Sequence, residues 1–264
     1  MIRITVLQEN TAAREDMIAE HGLSLYIETP KHSILFDMGQ TNAFAENAKT
    51  LGVDLGRADL AILSHAHYDH TGGLSRFLAE NDHAPIYASR HIFAPCYSGG
   101  ERYIGMDPAL FDCDRLILTG DRHKIDETLT LVTCNGLPAA APMSGKGLSL
   151  LQGGAHIPDS FQHEQYLIIR DGERRIVISG CSHKGVIHIV NWLTPDILIG
   201  GFHFKGMDPD GADRAFLADA AQRLLQQGAQ YYTCHCTGQA PYAFLKGMMG
   251  ERLHYAACGD CFEL

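Results

Sequence analysis

Four side chains that can bind metal fall within six positions, and this cluster constrains the chain more than any other feature. They are His65, His67, Asp69 and His70, in the segment Ser-His-Ala-His-Tyr-Asp-His-Thr-Gly-Gly of residues 64–73. The apolar run before them, residues 59–63, favours a buried strand, and residues 73–80 favour a helix. The cluster is therefore predicted in a loop at a strand end, where active sites of layered α/β proteins commonly lie.

The spacing of the cluster suits metal binding. In an extended chain His65 and His67 point to the same side, so both imidazoles can reach one ion. Asp69 and His70 lie where the chain turns and can face the same cavity, binding a second ion. Imidazole suits Zn²⁺, Fe or Mn, and a carboxylate shifts the balance toward harder ions. A histidine-rich surface loop is the alternative, since the chain has 15 histidines, but the preceding strand and following glycine pair disfavour it.

These residues resemble the HxHxDH signature of the metallo-β-lactamase superfamily. The segment Leu-Phe-Asp-Met-Gly at 35–39 resembles an early turn of that superfamily, which implies that Asp37 supports the metal loop from behind. Other segments resemble one branch, the uncharacterised metal-dependent hydrolases that include an archaeal dihydropterin-condensing enzyme of methanopterin biosynthesis; they are residues 20–24, 179–185, 200–203 and 234–238. The resemblance implies an α/β fold, a four-layer αββα sandwich of two mixed β-sheets flanked by helices.

The order of strand and helix patterns agrees with that fold. Helices are predicted over 41–51, 73–80, 184–193, 210–227 and 239–248, and strands over 1–7, 24–29, 33–37, 59–64, 85–88, 128–134, 164–170, 174–180, 196–200 and 229–234. Two successive alternations of this kind suit two sheets with helices outside. We expect one domain over residues 1–264, with an irregular or partly helical insertion over the site around residues 91–127.

Composition limits the partners. The net charge is −10, with 21 basic and 31 acidic residues and no dense basic run, which disfavours nucleic acid. No apolar run approaches the roughly 20 residues of a membrane helix, and the first residues lack the pattern of a signal peptide. We expect a cytoplasmic protein with a small-molecule substrate, which can be anionic because metal ions supply local positive charge.

The remaining ligands are expected in the second half of the chain. In the superfamily, a third histidine precedes an Asp that bridges two metals, whereas Cys181 follows the corresponding strand here. A Cys181 thiolate can bridge metals and would favour Zn²⁺ or Fe, and the alternative is a small buried hydrophobe. His183 follows the same strand and is predicted to replace the third histidine. His156 and His163 precede a strand and fit this role less well.

Two more histidines follow predicted strands. His235 matches the last ligand position of the superfamily. His203 lies in Gly-Gly-Phe-His and is predicted to bind metal or to donate a hydrogen bond to substrate. Cys234 and Cys236 flank His235 and are expected to point away from its side. Cys258 and Cys261 leave open a second metal site, although thiols are the default in a cytosolic chain.

The chemistry expected is metal-activated hydrolysis with one or two Zn²⁺ ions, with Fe or Mn as alternatives. Asp69 is predicted both to bind metal and to orient or deprotonate the attacking water. The candidate substrate contacts are His203, Lys184, Arg102 and Tyr103. The substrate class is an ester, lactone or phosphodiester. Two other functions stay open: a transferase like the dihydropterin-condensing enzyme, which releases pyrophosphate, and a di-iron redox or metal-binding protein.

Overall fold

A computed structural model describes residues 1–138 and 147–264, which fall into two units. The first unit comprises residues 1–120, 147–165 and 257–264, and the second comprises residues 121–138 and 166–256. Strands and helices are numbered along the whole chain. Each unit has its own seven-stranded sheet and its own apolar core.

The first unit is built on a mixed sheet. Its strands are β1 (Arg3–Gln8), β2 (Ser24–Glu28), β3 (Ser33–Phe36), β4 (Leu60–Ile62), β5 (Ile86–Ser89), β8 (Leu116–Thr119) and β18 (Cys261–Glu263). The spatial order is β18-β1-β2-β3-β4-β5-β8. The strands from β18 to β3 are antiparallel, whereas β3, β4, β5 and β8 run parallel. The carboxyl ends of the parallel strands therefore share one edge, and the histidine motif of residues 64–73 follows β4 there.

Three helices accompany this sheet: α1 (Ala43–Leu51), α2 (Tyr68–Thr71) and α3 (Leu74–Glu80). Helix α1 buries Phe44 and ends at Gly52, whose φ of 71° is a left-handed conformation that favours glycine. A second, four-stranded sheet of this unit is formed by β6 (Cys96–Ser98), β7 (Arg102–Tyr103), β11 (Leu148–Gln152) and β12 (Ala155–Pro158). Leu148 and Leu150 of β11 pack on the same apolar core as Phe44.

The second unit has a mixed sheet in the order β17-β16-β15-β14-β13-β10-β9. These strands are β9 (Arg122–Lys124), β10 (Leu129–Val132), β13 (Tyr166–Asp171), β14 (Arg174–Ile178), β15 (Ile197–Ile199), β16 (Gln230–Thr233) and β17 (Leu253–Tyr255). The strands from β14 to β17 are parallel. The helices are α4 (Val186–Leu193), α5 (Arg214–Gln226) and α6 (Gln239–Met249). Their apolar faces cover Tyr166, Val177 and Tyr231 in one core.

The predicted helices and strands are confirmed, with ends that shift by a few residues. The largest shift is in α5, which begins at Arg214 rather than at 210. Residues 91–127, expected to be irregular or partly helical, contain a 3-10 turn at Pro108–Leu110 and also the strands β6, β7, β8 and β9. These strands have two to four residues each, too few for a side-chain period to reveal them. Among the helices of the described ranges, none is long and apolar enough to span a membrane.

Candidate metal centre

The three histidines of the sequence motif lie together in the first unit. After β4 the chain bends at His65 and Ala66, His67 precedes α2, and α2 then carries Asp69 and His70. His65 Nε2 lies 3.1 Å from His67 Nδ1. The His65 and His70 rings have centroids 4.1 Å apart. All three side chains are buried, and the structure brings the three imidazoles into contact range of one another.

Asp37 contacts both the loop and one imidazole of this group through its carboxylate. Its carboxylate accepts hydrogen bonds from the Ser64 backbone N–H at 2.7 Å and from Ser64 Oγ at 2.6 Å. The same carboxylate is 2.7 Å from His70 Nδ1. A carboxylate on one imidazole nitrogen fixes the ring and directs the other nitrogen outward. The φ of Asp37 is 57°, a strained conformation for this residue that the local structure holds.

Asp69 contacts two histidines. Its Oδ2 lies 3.9 Å from His70 Nε2 and 3.2 Å from His21 Nε2. The Asn10 side-chain amide donates to His21 Nδ1 at 3.2 Å, which leaves the ring proton on Nε2, facing Asp69. His21 lies in a segment that resembles the dihydropterin branch, but its sequence context gave no sign of this contact.

His163 lies beside the same cluster, although it precedes a strand. Its ring centroid is 5.3 Å from that of His67 and 6.0 Å from that of His65. The backbone N–H of Ala66 donates to His163 Nδ1 at 3.3 Å. The other nitrogen, Nε2, is 3.1 Å from Asp159 and 3.5 Å from the sulfur of Cys96.

His67, Cys96, Asp159 and His163 therefore form a buried group with donor atoms within 4.8 Å of one another. Asp159 and His163 lie in a loop before β13, and no local sequence pattern singles them out. His156 differs, because it is exposed and lies by Ser149 and Tyr97 in the small sheet.

Burial controls the protonation of these groups. Burial, and then the neighbouring His163, lower the pKa of His67 to about 3, so its ring is neutral at pH 7. Burial also lowers the pKa of His70, but Asp37 and Asp69 outweigh it and raise this pKa above its ordinary value. Burial raises the pKa of the Cys96 thiol well above its usual range. Burial also raises the pKa of Asp159, but the hydrogen bond and charge of His163 outweigh it and lower this pKa.

The second unit holds its own group of donors, made by Cys181, His235 and Cys236. Cys181 follows β14 and His235 follows β16, so both lie at the carboxyl edge of the parallel strands. The three donor atoms lie within 4.8 Å of one another and all three side chains are buried.

The expectation that Cys236 points away from His235 is wrong. Strand alternation ends with β16 at Thr233, and His235–Thr237 form a 3-10 turn that brings both side chains to one side.

His183 and His203 contact each other in the same unit. Their ring centroids are 4.3 Å apart, and His183 is buried while His203 is partly exposed. His203 and His235 have φ values of 58° and 49°, and Ser182 has 59°. Strained backbone of this kind clusters at functional sites, and every one of these residues belongs to a loop that follows a parallel strand.

The predicted substrate contacts have partners within their own units. The Lys184 ammonium donates a hydrogen bond to the Thr133 carbonyl at 2.9 Å. Lys184 is buried, so its positive charge is not presented to solvent. Arg102 donates a hydrogen bond to the hydroxyl of Tyr68 at 2.8 Å, and its guanidinium lies over the Tyr68 ring. Tyr68 is the residue that follows His67 in the sequence. Tyr103 donates to the Met106 carbonyl at 2.7 Å.

Cys258 and Cys261 have separate surroundings. Cys258 is buried, which raises the pKa of its thiol to about 12, and it donates to the Leu7 carbonyl at 3.3 Å. Cys261 is exposed and accepts from Thr5 Oγ1 at 3.6 Å. Neither thiol belongs to a group of three metal donors in the part of the chain that the structure describes.

The first-unit donors fit a metal ion. Two nitrogens bound to one tetrahedral Zn²⁺ are about 3.3 Å apart, given Zn–N bonds of about 2.0–2.1 Å. The 3.1 Å between His65 and His67 nitrogens is close to this separation. A buried neutral His67 and a carboxylate-backed His70 are the forms in which imidazole binds metal.

The chain belongs to the metallo-β-lactamase superfamily, whose family model matches residues 18–206. The metallo-β-lactamase fold that the motif predicts is thereby confirmed, as is membership of a superfamily that binds metal ions. Within it, the chain belongs to the branch expected from its sequence, as the following relatives show.

A synthase of Methanocaldococcus jannaschii, 7,8-dihydropterin-6-methyl-4-(beta-D-ribofuranosyl)-aminobenzene-5'-phosphate synthase, is 30% identical over 96% of this chain and 94% of its own length. An uncharacterized protein of the same organism is 30% identical over 89% of this chain and 90% of its own. The crystal structure of Tm1679, a metal-dependent hydrolase of the β-lactamase superfamily, is 25% identical with a TM-score of 0.84 and covers 100% of this chain and 99% of the other.

Proposed function

We propose that this protein is a metal-dependent hydrolase of a small ester, lactone or phosphodiester, with Zn²⁺ as its metal. The observation that carries the proposal is the buried group of His65, His67 and His70 with Asp37 behind it. The similarity to a metal-dependent hydrolase over the full chain supports it. We propose His65, His67, Asp69 and His70 as ligands from the first unit, and Cys181, His183 and His235 from the second.

When bound, the metal supplies hydroxide at neutral pH and polarises a carbonyl or phosphoryl oxygen. The residues of the chain position the donors for that chemistry. Asp37 holds His70 through Nδ1, and the two hydrogen bonds from Ser64 tie Asp37 to the loop that carries His65. The ligands are thus pre-arranged before any substrate binds, which lowers the cost of reorganisation during the reaction.

Asp69 is the proposed proton acceptor for the attacking water. The Nε2–H of His21 donates to Asp69 Oδ2 and orients this carboxylate, and Asn10 holds His21 in the tautomer that does so. The side chain of His21 is 37% exposed, so it lies at the border between the buried cluster and solvent. His203, partly exposed and with strained backbone, is proposed as a further group that contacts the substrate.

A second candidate function is the dihydropterin condensation, favoured by the 30% identity to the synthase over nearly the full length of both chains. In that reaction metal would assist the departure of pyrophosphate. The same ligand group would serve it, because a developing phosphate charge is stabilised by the same cations.

Metal analysis followed by a substrate comparison tests these proposals. The purified protein is expected to contain zinc, to lose turnover of bis(4-nitrophenyl) phosphate, a 4-nitrophenyl ester or a lactone on chelation, and to regain it with added Zn²⁺. Turnover only with a dihydropterin pyrophosphate would replace the hydrolase proposal with the synthase. Bound iron with visible absorbance would favour the redox alternative, and hydrolysis by the chelated protein would contradict metal dependence.

A further inference from the structure

We propose that Cys236 is a metal ligand and that Cys181, His235 and Cys236 act as one set of two thiolates and one imidazole. This inference rests on the proposed metal-dependent function, and it adds a donor that the superfamily signature does not contain. Sequence alternation argued against Cys236, so the observation comes from the fold of the second unit.

The geometry of the three donors fits a single ion. Donor atoms on a tetrahedral Zn²⁺ with Zn–S of about 2.3 Å and Zn–N of about 2.0 Å are about 3.5–3.8 Å apart. The three donors here lie within 4.8 Å of one another, a limit that includes this separation. Cys181, His235 and Cys236 are 3%, 1% and 5% exposed, which places the sulfur atoms away from bulk water.

The surrounding backbone makes room for the Cys236 sulfur. A β-carbon at Gly201 would lie 2.3 Å from Cys236 Sγ, so a side chain there would displace the sulfur. The same sulfur lies 3.4 Å from the Cys181 carbonyl, which holds Cys236 beside the Cys181 loop. The glycine pair in Gly-Gly-Phe-His thus serves close packing: a β-carbon at Gly200 would collide with the Ser179 carbonyl, 2.0 Å away.

The chemistry of the set gives it a preference among metals. Two thiolates balance the charge of a divalent ion in a buried place, and both thiols lose their protons to solvent when the ion binds. Soft sulfur donors favour Zn²⁺, Co²⁺ and Fe over Mn²⁺ and Mg²⁺. Two Cys and one His leave one position of a tetrahedral ion open, which is the arrangement of a reactive rather than a purely structural site.

Cobalt substitution tests the assignment. The Co²⁺-loaded protein is expected to show thiolate-to-cobalt charge-transfer absorption, and Cys236→Ser should reduce its intensity to about half because one of two sulfur donors is lost. Cys181→Ser should do the same, and the double variant should abolish the band. Cys234→Ala is the matched control, since Cys234 flanks His235 on the other side; its band should equal that of the wild type. A full band in Cys236→Ser would overturn the proposal.

A measurement on the unaltered protein covers the case in which a variant fails to fold. X-ray absorption at the zinc edge of the Zn²⁺-loaded wild type should detect sulfur neighbours at about 2.3 Å, amounting to two per protein molecule. A single sulfur neighbour, or none, would overturn the proposal. The sulfur ligation and the hydrolase proposal fail separately: two sulfur neighbours without turnover leave Cys236 assigned, whereas zinc-dependent turnover with fewer than two sulfur neighbours removes it.

Discussion

The donor group of the first unit is made of imidazoles backed by carboxylates, whereas that of the second unit joins one imidazole to two thiols. In the first unit, His65, His67 and His70 come from one stretch of six residues, and Asp37 arrives from a neighbouring strand end to orient them. In the second unit, Cys181 and Cys236 belong to loops after different strands. Local spacing therefore creates the first group, and strand order creates the second.

The difference also concerns what keeps each donor in place. Hydrogen bonds from Ser64 and the contact with His70 hold Asp37 in the first unit. In the second unit, the absence of a side chain at Gly201 leaves space for the sulfur of Cys236. One group depends on polar partners and the other on steric room, and substitutions can separate the two.

The largest effect is expected from His67→Ala. Loss of this neutral, buried imidazole should strip the metal from the first-unit group and reduce turnover below detection. Metal content and turnover are measured together, with His83→Ala as control because His83 is an exposed histidine of the same unit. Full activity with intact metal content would refute the first-unit site.

A smaller effect is expected from Asp37→Asn, which leaves every ligand present. Loss of the carboxylate behind His70 should weaken metal affinity or activity about 10- to 100-fold, the usual range for such partners. Metal titration in competition with a chelator measures it. Asp82→Asn is the control, because Asp82 is an exposed partner of a surface histidine. Equal affinities of the two variants would show that polar support is unimportant in the first unit.

The steric support of the second unit is tested by Gly201→Ala. The new β-carbon should displace the Cys236 sulfur and cost about 1–3 kcal/mol of the free energy of unfolding. The same variant should weaken thiolate-to-cobalt absorption. Gly247→Ala in α6, where a β-carbon meets nothing within 4 Å, should instead stabilise the protein by up to about 1 kcal/mol. Denaturant unfolding of both variants provides the comparison, and a neutral Gly201→Ala would contradict the packing argument.

The smallest effect concerns pH. His67 titrates near 6.5 when unfolded and, by its lowered pKa, at about 3 when folded. Between these values the unfolded chain binds a proton that the folded protein does not, so stability falls as pH falls, by about 1.4 kcal/mol per pH unit. The free energy of unfolding of metal-free protein, measured at pH 6.5 and 5, should drop by about 2 kcal/mol more in wild type than in His67→Gln. An equal slope in His67→Gln would oppose the burial argument.

Most of the fold was predictable because each element carries its own pattern. Helix α1 shows apolar residues on one face and stops at Gly52, and Asp171-Gly172, a dipeptide typical of tight hairpin turns, joins the antiparallel strands β13 and β14. The prediction missed strands β6 to β9, β11, β12, β17 and β18. They are short, and their stability comes from backbone pairing with distant partners such as β5 and β11, which leaves little trace in local sequence.

The local sequence determined that His65, His67 and His70 lie close together, because side chains two to five residues apart at a strand end can adopt few relative positions. Tertiary structure alone decided that His163, with Asp159 beside it, joins that cluster, and that Cys236 turns toward Cys181. Those outcomes depend on which strands pair and where a strand gives way to a 3-10 turn. Such pairings join residues far apart in sequence, and local spacing carries no record of them.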